Sequence, residues 1–149
     1  IEAFEKQTVR RAEAQVVAAH PRGTLMKKAA GEVSDTVVEL LLARGVKVAE
    51  SPILGLVGGG DNGGDAVRLA YLAKLGYPCL ALILSDKPHL EALAAAEKAQ
   101  VTIERVDLAG NARQVARLAA RRARAAKVWI DGLVGAGIKR GNYVNRYRR

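Results

Sequence analysis

The sequence predicts a three-layer α/β/α domain with a mostly parallel sheet, on three observations. From residue 53 onward, short continuous apolar runs alternate with segments of helical period. Strands buried on both faces read as unbroken runs of this kind, and helices of that length serve as right-handed crossovers between them. Half of the 149 residues are apolar but only 4% are aromatic, so the core is made of Ala, Val, Leu and Ile, as where helices pack on a parallel sheet. The length suits one domain that can bury a core without disulfides or a structural metal. Cys79 is the only cysteine. A single thiol excludes an internal disulfide and any multi-cysteine zinc site, and points to the reducing cytosol.

The elements follow in order. Residues 2 to 19 carry Phe4, Val9, Ala12, Val16 and Ala19 at helical spacing, and His20-Pro21-Arg22-Gly23 ends that helix. Thr24 is placed to cap a second helix through Leu25, Val33, Val37 and Leu41, stopped at Gly45. Ile53 to Val57 is the first strand, and GGGDNGGD at residues 58 to 65 leads into a helix that ends at Gly76. Cys79 to Leu84, Val101 to Val106 and Lys127 to Asp131 read as further strands, with helices over Pro88 to Ala99 and Asn111 to Ala126 between them. The resulting architecture is Rossmann-like. One domain over residues 1 to 141 and an unassigned basic tail over residues 142 to 149 are expected.

Net charge is +9 with an isoelectric point near 10.1, which favours anionic partners, phosphate-bearing cofactors as well as nucleic acid. No apolar run reaches the roughly 18 residues of a membrane span, and the opening IEAFEKQTVRR is too charged for a signal peptide. A cytoplasmic protein that does not enter the membrane is expected. The chain opens on Ile1 rather than Met, as a piece of a longer reading frame would.

In an open parallel sheet, ligands bind beyond the carboxyl ends of the strands. Two glycine-rich polar loops fall there, Gly58 to Asp65 and Asp131 to Gly141, and both are expected on one edge. Five glycines in eight residues let the backbone approach a ligand closely, and the helix start beyond them offers free N–H groups to an anion. Gly58, Gly60 and Gly63 match the letters of a G-x-G-x-x-G dinucleotide fingerprint, but Asp61 and Asp65 would repel a pyrophosphate unless a cation lay between. Asp61, Asn62 and Asp131 are hard oxygen ligands suited to an alkali or alkaline-earth ion. The same residues have a purely structural reading: Asp65 capping a helix, Asn62 supplying a left-handed turn and Asp131 capping a strand end.

Three motifs in order carry a resemblance. LMKKAAGEV at residues 25 to 33, GGGDNGGDA at 58 to 66 and DGLVGAG at 131 to 137 resemble the L-M-E-x-A-G-x-x-V helix, the G-x-G-N-N-G-G-D-G loop and the D-A-L-F-G-T-G loop of the NAD(P)H-hydrate epimerase family, the YjeF N-terminal domain. The likeness is strongest to the bacterial branch in which this domain is fused to an ADP- or ATP-dependent hydrate dehydratase. It implies that Asp61, Asn62, Gly63, Gly64 and Asp65 contact hydrated NADH or NADPH, and that Asn62 and Asp131 bind a potassium ion. Gly135, Ala136, Gly137, Ile138, Lys139, Arg140 and Gly141 would form a second nucleotide loop, with Lys139 and Arg140 available to a phosphate. A homo-oligomer is among the expected partners. The chain departs from the pattern at Asp61, where many relatives have Asn, and at Ala66, where they have Gly; the family's D-x-P-S-G segment, whose Asp contacts the nucleotide and whose Ser completes the potassium site, does not occur in the 149 residues.

The implied reaction inverts a hydroxyl-bearing carbon of a dihydropyridine ring. A carboxyl that protonates the departing oxygen and takes a proton from the returning water would accelerate it. Asp131 is the first candidate and Asp65 the second. The competing reading is a non-catalytic module that holds the nucleotide or a protein partner. Nucleic-acid binding is disfavoured: Arg113, Arg117, Arg121 and Arg124 form a basic stripe on one helix face with no interleaved aromatics to stack on bases, as a solvated face does. Trp129 is read as core, Cys79 as an inert buried thiol, and His20 and His89 as capping or exposed.

Overall fold

A computed structural model describes residues 4–21, 24–59 and 64–133, the side chains of residues 6, 26 and 65–67 excepted. Helix α1 spans Lys6–Ala18 and α2 Thr24–Ala43; a short 3₁₀ turn at Val48–Glu50 precedes β1, Ile53–Val57. Then follow α3 (Asp65–Lys74), β2 (Cys79–Ile83), α4 (Leu90–Lys98), β3 (Thr102–Arg105), α5 (Ala112–Ala125) and β4 (Val128–Gly132). Every strand pairing is parallel, in the order β3-β2-β1-β4.

That order fixes the layers. The chain steps from β1 to β2 to β3 in one direction and then returns across the sheet to place β4 on the far side of β1. Right-handed crossovers therefore put α3 and α4 on one face and α5 on the other. The side chains agree with this. α3 packs against α2, α4, β1 and β2, and its Leu69 lies over Gly55, where an added Cβ would fall within 2.4 Å of the Leu69 Cδ1. On this face Ile53, Val57, Leu69, Leu72, Ala81, Ile83, Leu93 and Ile130 form the core. Alternate residues of the strands point the other way, toward α5: Arg122 pairs with Glu104 on β3 at 2.7 Å, and the Trp129 indole donates to the Ala123 carbonyl at 2.9 Å.

α5 covers its face incompletely. None of its residues is fully buried; Val115, Leu118, Ala119, Arg122 and Ala123 are half-covered, while Arg113, Arg117, Arg121 and Arg124 are exposed, as a solvated stripe requires. Trp129 corrects a sequence reading. It is 59% exposed rather than core, because β4 is the last strand on its side among the described residues and only the end of α5 reaches the indole. Ile130, by contrast, is 5% exposed, since it points to the α3 face and pairs in register with Gly55. The apolar valines of α1 are exposed as well, Val9 at 41% and Val16 at 46%, as is Phe4 just before the helix at 65%.

Helix ends match the sequence signals closely. Gly45 and Gly76 take the positive φ that ends α2 and α3, at 64° and 91°. His89 caps α4, its Nδ1 accepting the Ala92 N–H at 3.3 Å, and Asn111 caps α5 through the Arg113 N–H at 2.9 Å. Thr24 departs from its expected capping role: it is the first residue of α2 rather than the cap, its N–H bonded to the Pro21 carbonyl. Among the described residues no helix is long and apolar enough to cross a membrane.

Candidate functional site at the carboxyl edge

A parallel sheet offers its ligand crevice where neighbouring strands send their chains to opposite faces. Here that place lies between β1, which continues into α3, and β4, which arrives from α5. The described starts of the two glycine-rich loops meet there. Leu56 is in register with Asp131 and Val57 with Gly132. Just beyond, the Gly58 N–H donates to the Gly132 carbonyl at 3.1 Å. A Cβ at Gly58 would sit 2.1 Å from the Leu133 carbonyl oxygen and 2.8 Å from that of Gly132. Glycine is needed here because another backbone fills the space of a side chain.

The second strand end closes on the same loop. A Cβ at Gly59 would meet Ser85 Oγ at 2.7 Å and the Lys87 carbonyl at 3.4 Å. The turn is held by the Lys87 N–H donating to Ser85 Oγ at 3.1 Å. Sequence reasoning missed this third participant. The signal was available, since Ser85-Asp86-Lys87-Pro88 is a polar turn at the carboxyl end of an apolar strand, on the same edge as the glycine loops.

Asp131 stands exposed at the end of β4, and its Oδ1 accepts the Leu133 N–H at 3.0 Å. The strand-end capping role is thus present, and it fixes the carboxylate at the mouth of the crevice with Oδ2 free of protein partners among the described residues. Gly64, buried, is the N-cap of α3 and makes no side-chain cap; Asp65 is the first residue of the helix rather than its cap. The side chain of Asp65, and all of Asp61, Asn62, Gly63, Gly135, Ala136, Gly137, Ile138, Lys139, Arg140, Gly141 and the basic tail, lie outside the described residues. Among those described, no three His, Cys, Asp or Glu side chains gather into a metal-holding group.

Two cavities among the described residues lie away from this edge. One of about 480 Å³ opens at the amino ends of the strands, between Pro52, Tyr77, Thr102 and Arg122; its one charged side chain, Arg122, is paired with Glu104. Cys79 borders it and is buried, which pushes the thiol up to about 12, so it stays protonated and unreactive. His20 Nδ1 lies 2.8 Å from the Val16 carbonyl at the exposed end of α1. Neither residue contributes to the crevice.

Comparison with known proteins agrees with the motifs. Residues 22–147 match the family model described as YjeF-related protein N-terminus. The bifunctional NAD(P)H-hydrate repair enzyme Nnr of Mycobacterium leprae (strain TN) is 37% identical over 98 residues, 64% of this chain and 21% of that protein. The enzyme of the same name from Mycobacterium tuberculosis (strain ATCC 25618 / H37Rv) is 38% identical over 97 residues, 64% of this chain and 20% of that protein. The chain thus spans about a fifth of the length of these curated relatives. In fold it resembles the crystal structure of the yeast protein YNL200c, with a TM-score of 0.74 at 17% identity, over 93% of this chain and 59% of that one. The chain belongs to the family of YjeF-related protein N-termini.

Proposed function

We propose that this domain is an NAD(P)H-hydrate epimerase, which interconverts the two epimers of hydrated NADH or NADPH in nucleotide repair. The observation that carries the reading is the junction of Gly58 with Gly132 and Leu133, which brings a glycine-rich loop and the carboxylate of Asp131 to one crevice in a domain of this family. The bifunctional repair relatives support it, and a dehydratase acting on the same hydrates is the implied partner. A cytoplasmic setting fits the nucleotide substrate and the single unpaired cysteine.

The chemistry follows from the crevice. Electron density from the ring nitrogen expels the hydroxyl at the hydrated carbon as water once its oxygen receives a proton. Water then adds to the opposite face of the planar cation and gives a proton back, so atoms and charge balance over the cycle. Asp131 is the acid–base group, with Oδ1 tied to the Leu133 N–H and Oδ2 left to exchange the proton; Asp65 at the start of α3 is the alternate. Asp61, Asn62, Gly63, Gly64 and Asp65 approach the ligand from the first loop, and residues 135–141, including Lys139 and Arg140, from the second. Potassium suits this donor chemistry of one carboxylate, an amide oxygen and backbone carbonyls, and Asn62 with Asp131 would hold it. When bound it orients the ligand and offsets the carboxylate charge.

The test is epimer interconversion measured by chromatography or NMR in the presence of potassium. Asp131→Asn keeps an oxygen ligand but removes the acid–base group, so kcat falls at least about a hundredfold while KM changes little. Asn62→Ala raises KM instead. An unchanged rate in Asp131→Asn removes Asp131 from the mechanism, and no interconversion by the wild-type protein leaves a binding module.

A further inference from the structure

We propose that α1 is a dimerisation element: two copies of this chain pair through the apolar face of the helix, antiparallel about a two-fold axis. The proposal does not rest on the epimerase reading. α1 stands apart from the body of the domain. Its described side chains are all exposed, and it shares no substantial contact with any strand or other helix, whereas α2 and α3 pack together. A helix of 13 residues is marginal in water on its own, because most helical stability in proteins comes from burying one face. Such a face is present. Val9, Ala12 and Val16 recur at i, i+3 and i+7, and with Phe4, Val17 and Leu25 they line an open groove of about 620 Å³.

Charge selects a second copy as the occupant. At 3.6 residues per turn, Arg10 and Glu13 fall on one flank of the apolar face, on either side of the helix midpoint. Among the described residues neither is held by an ion pair or a side-chain hydrogen bond. In an antiparallel pair the same flanks of the two helices lie side by side with their ends reversed. Each Arg10 then comes beside the other copy's Glu13, and both ion pairs form at once, as a self-complementary two-fold contact requires. A parallel pair would set this flank against Thr8 and Gln15 and leave the charges unmatched. The chain carries a net charge of +9, so copies repel one another in general and meet only where an apolar face has matched charges beside it. The face is one helix wide and about 20 Å long, well under the area of a stable interface, so the pair is a weak one with a dissociation constant in the micromolar range.

The experiment is analytical ultracentrifugation of the full chain over a concentration series from about 1 to about 200 μM. Wild type is compared with the double variant Val9→Asp/Val16→Asp, with Arg10→Glu, with Glu13→Arg, and with an equimolar mixture of the last two. Wild type is expected to pass from monomer to dimer within the series, and the double valine variant to stay monomeric. Each charge reversal alone sets like charges together and weakens dimerisation about tenfold. The mixture recovers the wild-type constant within about twofold, because the reversed charge of one copy then meets the reversed charge of the other. Contact of α1 with its own chain or with an unrelated protein gives no such recovery. Since α1 is exposed, the melting temperature of the domain serves as a control and stays unchanged in every variant. A wild-type protein that is monomeric throughout the series would overturn the proposal, as would a dimer that survives Val9→Asp/Val16→Asp or a mixture that recovers nothing.

Discussion

At the scale of single residues, the same amino acid was legible or not according to what surrounds it. Cys79 could be read as an inert thiol because its apolar strand neighbours bury it. That burial makes a pH prediction. The thiol rises from an ordinary 9.0 to about 12 in the fold, so between those values the native state keeps a proton that the unfolded state has lost. Stability from this group is complete below pH 9.0 and declines as pH climbs toward about 12. Tyr71, raised chiefly by the charge of Asp35 and then by its hydrogen bond to it, acts in the same direction. Melting temperature should therefore fall across that range, and less steeply in Cys79→Ala than in wild type. Iodoacetamide should leave the native thiol unmodified at pH 8; rapid alkylation there would show that the strand opens. Trp129 was misread because burial was inferred from strand membership, whereas among the described residues β4 ends the sheet and only the end of α5 reaches the indole.

At the scale of elements, glycine punctuation made the first half of the chain readable and its absence concealed a strained position in the second. α2, α3 and α4 all close with the same paired bonds. Val46 donates to Leu41, Tyr77 to Leu72 and Val101 to Ala96, while the preceding residues Gly45, Gly76 and Gln100 bond to Leu42, Ala73 and Glu97. This motif needs a left-handed residue, and two of the three helices supply glycine. α4 supplies Gln100 at φ 61°, the only non-glycine positive φ among the described residues. The helix was expected to end at Ala99, as it does within a residue, but the strain was invisible because the letter Gln carries no turn signal. Gln100→Gly relieves a left-handed Cβ at some cost in unfolded-chain entropy, and a net gain of about 0.5–1 kcal/mol is expected. Urea denaturation reads this directly. A midpoint that moves down would mean the Gln100 side chain makes a compensating contact.

At the scale of the whole molecule, the order of strands decides what the loops can do together. β1 to β3 are assembled with α3 and α4 on one face, and β4 is delivered from the other face by α5. The alternation of strands and helices foretold a parallel sheet, but not that β4 would lie beside β1, because strand order comes from the direction of each crossover and leaves no local mark. The described starts of the two loops are joined at Gly58, and two glycine substitutions separate that coupling from plain packing. At Gly55 an added methyl meets the Leu69 side chain, whose tip can move to another rotamer. At Gly58 it meets the Leu133 carbonyl oxygen at 2.1 Å and carbon at 2.7 Å, and backbone can yield only if β4 slides away from β1 and the bond from the Gly58 N–H to Gly132 is given up. Both Gly55→Ala and Gly58→Ala should lose about 1–3 kcal/mol of stability, the usual cost of overpacking. On the proposed epimerase mechanism, only Gly58→Ala should also lose activity on the order of a hundredfold in kcat/KM, measured well below its melting temperature, because a displacement of about 1 Å between the loops would take Asp131 out of reach of the ring. If the folded Gly58→Ala protein epimerises as well as Gly55→Ala, the junction of the loops is structural and the reacting ring lies elsewhere on the edge.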